Sequence, residues 1–278
     1  MSTSPDQPGY NSGRTMFIVI TGIVSVMVVL ALVLAWVDSK MLNEINGYKS
    51  AGLTDLPSNN ANPEELLEFA DKVGIECVSI EDLFSGTGAC GDVLDVARTV
   101  NDYKSDHSVI WASVSIFGIA LVVTFTMFIH QASSNLRHLR IAGQKFTPGW
   151  AVGWFFIPFM NIYKPTRIVG ELAKASRSTD TKNPRAWQNA NSQDGKFISS
   201  WWTLVIMAVL FGPRGISLFV GRGNIEDWAA AGRLLVLSDL FQVLPLVLTV
   251  IVIFRLQRAQ EIRHQIMLAR RSRVAGNS

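Results

Sequence analysis

Two uninterrupted apolar runs, residues 16–37 and 109–129, constrain this chain more than any other feature. They are 22 and 21 residues long, and neither contains an Asp, Glu, Lys or Arg. Coiled as helices at about 1.5 Å per residue, each crosses roughly 30 Å of hydrocarbon. Backbone N–H and C=O groups find no water there, so the runs must be helical. A third run, 197–213, is broken by Arg214 and resumes over 215–220; a fourth, 234–254, carries Asp239 and Pro245. The charged fraction of 17% falls well below the roughly 25% of a soluble domain. The expected fold class is an all-α membrane protein with four transmembrane helices: 16–37, 109–129, 197–220 and 234–254. The first run exceeds the roughly 7–15 apolar residues of a cleaved signal peptide. Although Val33-Leu34-Ala35 loosely suits a peptidase, an uncleaved anchor is expected.

Charge orients these helices. Residues 38–108 hold fourteen acids against five Lys or Arg, whereas 131–196 hold ten basic residues against three acids. The tail after Phe254 has six arginines and one glutamate. Basic flanks stay on the cytoplasmic side. This predicts an outer segment 38–108, an inner region 130–196, an outer loop 221–233 and an inner tail 255–278. Both termini are then cytoplasmic, in a plasma membrane, behind a disordered leader 1–15.

The stretch 149–165, GWAVGWFFIPFMNIYKP, is as apolar as a span but short and broken by Pro158. As a fifth span it would carry the seven basic residues of 164–196 outside and invert the arginine tail. It is expected instead to re-enter from the cytoplasmic face or lie flat in the interface, where its aromatic rings are at home. Within 166–178, Ile168, Val169, Leu172 and Ala173 share a helical face flanked by Arg167, Lys174 and Arg177. That pattern suits either a helix lying on anionic headgroups or one packed on the protein itself. With Arg255 and Arg258 these form the predicted lipid-facing basic set.

The acidic segment 38–108 reads as a small helical domain. Asn62-Pro63-Glu64-Glu65 starts a helix, with Asn as cap, proline at the first position and acids facing the dipole. Gly74 stops it. Short helices are expected over 80–84 and from Asp92 towards Tyr103. Cys77 and Cys90, the only two cysteines, flank a Ser-Gly-Thr-Gly turn on the oxidising side. A structural disulfide is expected; a metal site would need more ligands, and a redox centre a closer spacing.

Several motifs between residues 130 and 202 belong together: Asn135-Leu136-Arg137; Phe146-Thr147-Pro148-Gly149-Trp150-Ala151-Val152-Gly153-Trp154-Phe155-Phe156-Ile157-Pro158; Asn161; Lys164-Pro165; Glu171; Ser176; and Trp201-Trp202. This pattern resembles a family of bacterial integral-membrane proteins grouped as domain of unknown function 4328. Phe155 replaces the second tryptophan of that family's Trp-Trp pair, and Lys164 its usual arginine. The resemblance implies a multi-pass membrane protein and brings no substrate, cofactor or catalytic residue. It does not reach the segment 38–108.

Candidate chemistry is sparse. Arg214 and Asp239 fall at similar depth in adjacent spans and are expected to form an intramembrane charge pair. The pair is either structural or, with Gln242 beside the Pro245 kink, part of a proton or ion relay. His107, His130, His138 and His264 show no metal-ligand spacing, and no catalytic triad or phosphate loop can be assembled. No cofactor, metal or nucleic acid is expected. The leading expectation is a non-enzymatic envelope protein whose outer domain binds or senses a protein partner while its inner basic face meets lipid. The alternative is a small transporter or channel using Arg214, Asp239 and the re-entrant segment.

Overall fold

A computed structural model describes residues 10–57, 61–77, 79–85, 89–178, 180, 183–189, 194–212 and 225–275. All regular elements among them are helical: α1 (Arg14–Ser50), α2 (Pro63–Lys72), α3 (Ile80–Ser85), α4 (Ala89–His138), α5 (Pro148–Gly153), α6 (Pro158–Asn161), α7 (Lys164–Arg177), a 3-10 turn (Ala186–Asn189), α8 (Gly195–Leu210) and α9 (Ile225–Ala275).

Three of them, α1, α4 and α9, are long and apolar enough to cross a membrane. In α1 and α4 only 22% of the most apolar window is buried inside the protein. Ile18, Val29, Leu32, Ile116, Ile119, Leu237 and Leu240 stand exposed. An apolar surface of that extent calls for lipid as its solvent. The helices also outrun the bilayer: α1 has 37 residues, α4 50 and α9 51. The limits of the segment 38–108 therefore fall inside continuous helices. Nothing at Asp38-Ser39-Lys40 breaks α1, which ends only before Gly52, at φ +92°. The helices expected from Asp92 and over 109–129 are one, α4. It stops where Arg140 and Gly143 take positive φ, with Arg137 and His138 facing the negative end of its dipole. The third expected span, 197–220, is described only to Gly212, and its helix α8 is 16 residues long.

The chain divides into two compact units. One comprises residues 27–116 and 207–243. In it Met41 and Ile45 of α1 pack against Val100 of α4 and Ile225 and Ala229 of α9. A second cluster joins Leu66, Phe69 and Ala70 of α2 to Leu83 of α3 and Val93 of α4. Burying each large member stabilises by about 1.5–3 kcal/mol. Asn62 caps α2 as expected, its Oδ1 accepting the Glu65 N–H at 2.8 Å, and Gly74 ends it at φ +76°. Cys77 and Cys90 stand at disulfide distance, Cα–Cα 5.6 Å.

The other unit comprises residues 1–26, 117–206 and 244–278. Here α7 buries Ile168, Val169, Leu172 and Ala173, so its apolar stripe packs on the protein. The stretch 149–165 forms α5, a turn, α6 and the start of α7.

Candidate functional site

The unusual chemistry lies in the first unit, where three helices bring acids together. α4 presents Tyr103, His107 and Trp111 at four-residue steps, hence along one face. α1 supplies Asp38 and α9 supplies Asp239, each only 1% exposed. The Tyr103 hydroxyl donates to Asp38 Oδ1 at 2.8 Å. His107 Nε2 lies 3.6 Å from the same oxygen and accepts the Trp111 indole N–H at 3.2 Å. The Asp239 carboxyl lies against that of Asp38.

The remaining oxygens are in deficit. Asp38 Oδ2 and both oxygens of Asp239 have no hydrogen-bond donor among the described residues. Unpaired buried acceptors are costly, and two carboxylates side by side repel. One proton shared between the carboxyls would relieve the repulsion and pair two of these three oxygens, because the acid form donates an O–H to its neighbour. Exposure is graded: the His107 side chain is 24% exposed and that of Asp38 0%. His107 is thus the partly exposed neighbour of a fully buried carboxylate. No three His, Cys, Asp or Glu side chains among the described residues converge as a metal site.

Asp239 thus meets an acid. Its expected partner, Arg214, lies outside the described residues. Sequence reasoning missed Asp38, Tyr103 and His107; their only local signal is the four-residue step from Tyr103 to His107 to Trp111.

The motif residues assemble in the other unit, where they build a scaffold. Asn135, 3% exposed, donates to the Asn11 carbonyl at 2.8 Å and to Gln260 Oε1 at 3.2 Å. Gln260 donates onward to the Ala132 carbonyl at 2.9 Å and to Ser176 Oγ at 3.3 Å. Thr147 caps α5, with Pro148 at its first position. Trp201 donates to Thr249 Oγ1 at 2.9 Å, and Thr249 to the Pro245 carbonyl at 2.8 Å, which ties α8 to the α9 turn following the proline. Trp202 donates to the Asn161 carbonyl at 2.7 Å. Phe155, the residue in place of tryptophan, packs edge-on against Trp202, with ring centroids 5.6 Å apart. Lys164 sits 4.6 Å over the Trp154 ring, a cation–π contact that an arginine would also make. Pro165 is buried, whereas Trp150 and Phe159 are exposed. Glu171 accepts the Lys145 backbone N–H at 2.7 Å; burial pushes its carboxyl up, against the downward pull of that N–H.

Arg167 stacks over Tyr163 and Lys174 donates to the Gln188 carbonyl at 2.7 Å. Arg177 and Arg255 converge on Asp194. Only part of the predicted basic set therefore remains open to an outside anion.

With helices as its only regular elements among the described residues, three of them fit to span a bilayer, the chain has the build of a membrane protein. Residues 99–258 match the model of the family described as Domain of unknown function (DUF4328). The match covers more than half of the chain, and the protein belongs to this family. No curated protein and no solved structure is significantly similar to it.

Proposed function

We propose that this is a non-enzymatic envelope protein that senses protons through the Asp38–Asp239 pair and presents the result to a partner of its outer segment. In this reading four spans cross the plasma membrane with both termini cytoplasmic. Residues 38–108 lie outside, and 149–165 re-enters or lies flat on the inner face. The opposed charge bias of 38–108 and 131–196 supports that orientation. The observation that supports the function is a buried carboxyl pair with three oxygens lacking a donor among the described residues, bordered by the partly exposed His107.

The proton follows a balanced route. A hydronium ion protonates His107 at Nε2, displacing the Trp111 N–H and leaving water; the Nε2–H bond then breaks as an O–H bond forms on Asp38, leaving neutral imidazole. A half-turn of the Asp38 carboxyl carries that O–H to the adjacent Asp239 carboxylate. Losing the proton leaves two anions in an apolar setting, which drives α1 away from α9. Met41 and Ile45 pack there against Ile225 and Ala229, so the separation alters the surface offered by the outer segment.

Spin labels on cysteines introduced at Glu44 and Ala230 test this in nanodiscs. The distance between them should lengthen from acid to alkaline buffer in the wild type and stay fixed in Asp239→Asn. Identical distances at both extremes in the wild type would rule the reading out.

The transport alternative uses the same carboxyls as a proton carrier. It is favoured by Asp239 and Pro245 lying within one apolar run. Proton flux into liposomes, lost in Asp239→Asn, would select it over sensing.

A further inference from the structure

We propose that a groove between α7 and the later turns of α9 holds one anionic phospholipid molecule. The inference rests on membrane insertion alone and is independent of the carboxyl pair. The groove has a volume of about 490 Å³. Its walls divide by chemistry: Ile251, Phe254 and Ile262 are apolar, and Arg177, Arg255 and Arg258 are basic. Phe254 and Ile262 are 43% and 51% exposed, so the apolar wall is uncovered.

The order of these residues along α9 points to an amphiphile. Ile251 and Phe254 close the apolar run 234–254, and Arg255 and Arg258 follow in the next turn. An acyl chain lying along the end of a span would place its phosphate beside that first basic turn. The charge balance agrees. Arg177 and Arg255 share the single carboxylate of Asp194, and Arg258 has no ion-pair partner among the described residues. These three guanidiniums face one carboxylate, and Arg263, the fourth arginine lining the groove, has Asp180 beside it, which leaves two positive charges unmatched. The planar guanidinium suits phosphate oxygens in particular.

The site is also built on a fixed floor. Arg263 is 2% exposed, and its guanidinium donates to the carbonyls of Leu139, Ser178 and Asp180. It holds the end of α4 and the chain after α7 against α9, so the groove does not depend on the lipid to form.

Native mass spectrometry of protein released from nanodiscs tests the proposal. Phosphatidylglycerol and phosphatidylcholine with identical acyl chains are compared. The wild type should retain one phosphatidylglycerol and no phosphatidylcholine. Arg258→Gln, exposed and unpaired, should weaken retention about fivefold, the worth of one basic residue at an anionic surface, with unchanged thermal unfolding. Phe254→Ser, on the acyl-chain side of the basic turn, should weaken retention of the whole lipid as well. Glycerophosphoglycerol, the headgroup without chains, should fail to displace the lipid. Equal retention of both lipids, retention indifferent to Arg258→Gln, displacement by the free headgroup, or a protein seated in place of lipid would each overturn the assignment.

Discussion

Replacing Asp239 by Asn should stabilise the protein, an unusual direction for a change at a residue buried this deeply. The side chain is 1% exposed, and neither of its oxygens meets a donor among the described residues. An amide has nearly the same shape but brings two N–H groups, one of which can reach the unpartnered Oδ2 of Asp38. Satisfying a buried polar group is worth about 1–3 kcal/mol. For a protein of this size that is a rise of roughly 2–10 °C in the unfolding midpoint. The gain must depend on pH. On the shared-proton reading proposed above, the wild type already holds that proton in acid, so the variant gains little. As the pH rises the wild type releases that proton, leaves two adjacent anions and loses stability, while the variant does not. Thermal unfolding in detergent, followed by tryptophan fluorescence across a pH series, measures both slopes. Asp38→Asn, which keeps an oxygen to accept the Tyr103 hydroxyl, should flatten the slope in the same way. A variant that tracks the wild-type slope, or that is the less stable of the two in alkali, would refute the shared-proton argument.

Three further outcomes are expected. Intact mass after alkylation without reductant should show no label on Cys77 or Cys90, and replacing both with Ser should destabilise the α2–α3–α4 cluster they tie together by about 2–4 kcal/mol, read as faster proteolysis around α2 and α3. Asn135→Ala should cost about 1–3 kcal/mol for each polar group it strands, Gln260 and the Asn11 backbone among them, and lower the unfolding midpoint. Burial holds the Glu171 carboxyl up, so the stability tied to its neutral form is full in acid and is lost as pH rises through the folded value; Glu171→Gln, which still accepts from Lys145, should remove that component of the pH slope.

The apolar runs made the membrane-crossing parts of α1, α4 and α9 legible, because a bilayer tests hydropathy locally. The helices' extent was harder to read. Between Asp38 and Ser50, and again between Asp92 and His107, the sequence is polar without a proline or a positive-φ residue. Hydropathy marks an exit from lipid there, whereas the backbone has no cause to stop. The α2 cap was legible because Asn62, Pro63 and Gly74 act within one element. The acid cluster was only half legible. A carboxyl inside an apolar run draws notice at Asp239, but Asp38 sits at the polar end of its run, where an acid is ordinary. Their meeting depends on packing between residues some 200 positions apart, which no local pattern reports. Charge matching instead favoured Arg214.

The hydrogen bonds of Asn135 also bear on what constitutes a self-sufficient piece of this protein. The family match runs from residue 99 to 258, yet Asn135 bonds to Asn11 before it and to Gln260 after it, and the Leu139 carbonyl depends on Arg263. A fragment cut to the matched limits would expose an amide and a helix terminus with nothing to bind. Its autonomous folding unit is therefore assembled from three stretches of chain, and a shortened version must retain the first helix and the turns after Arg258 to stand alone.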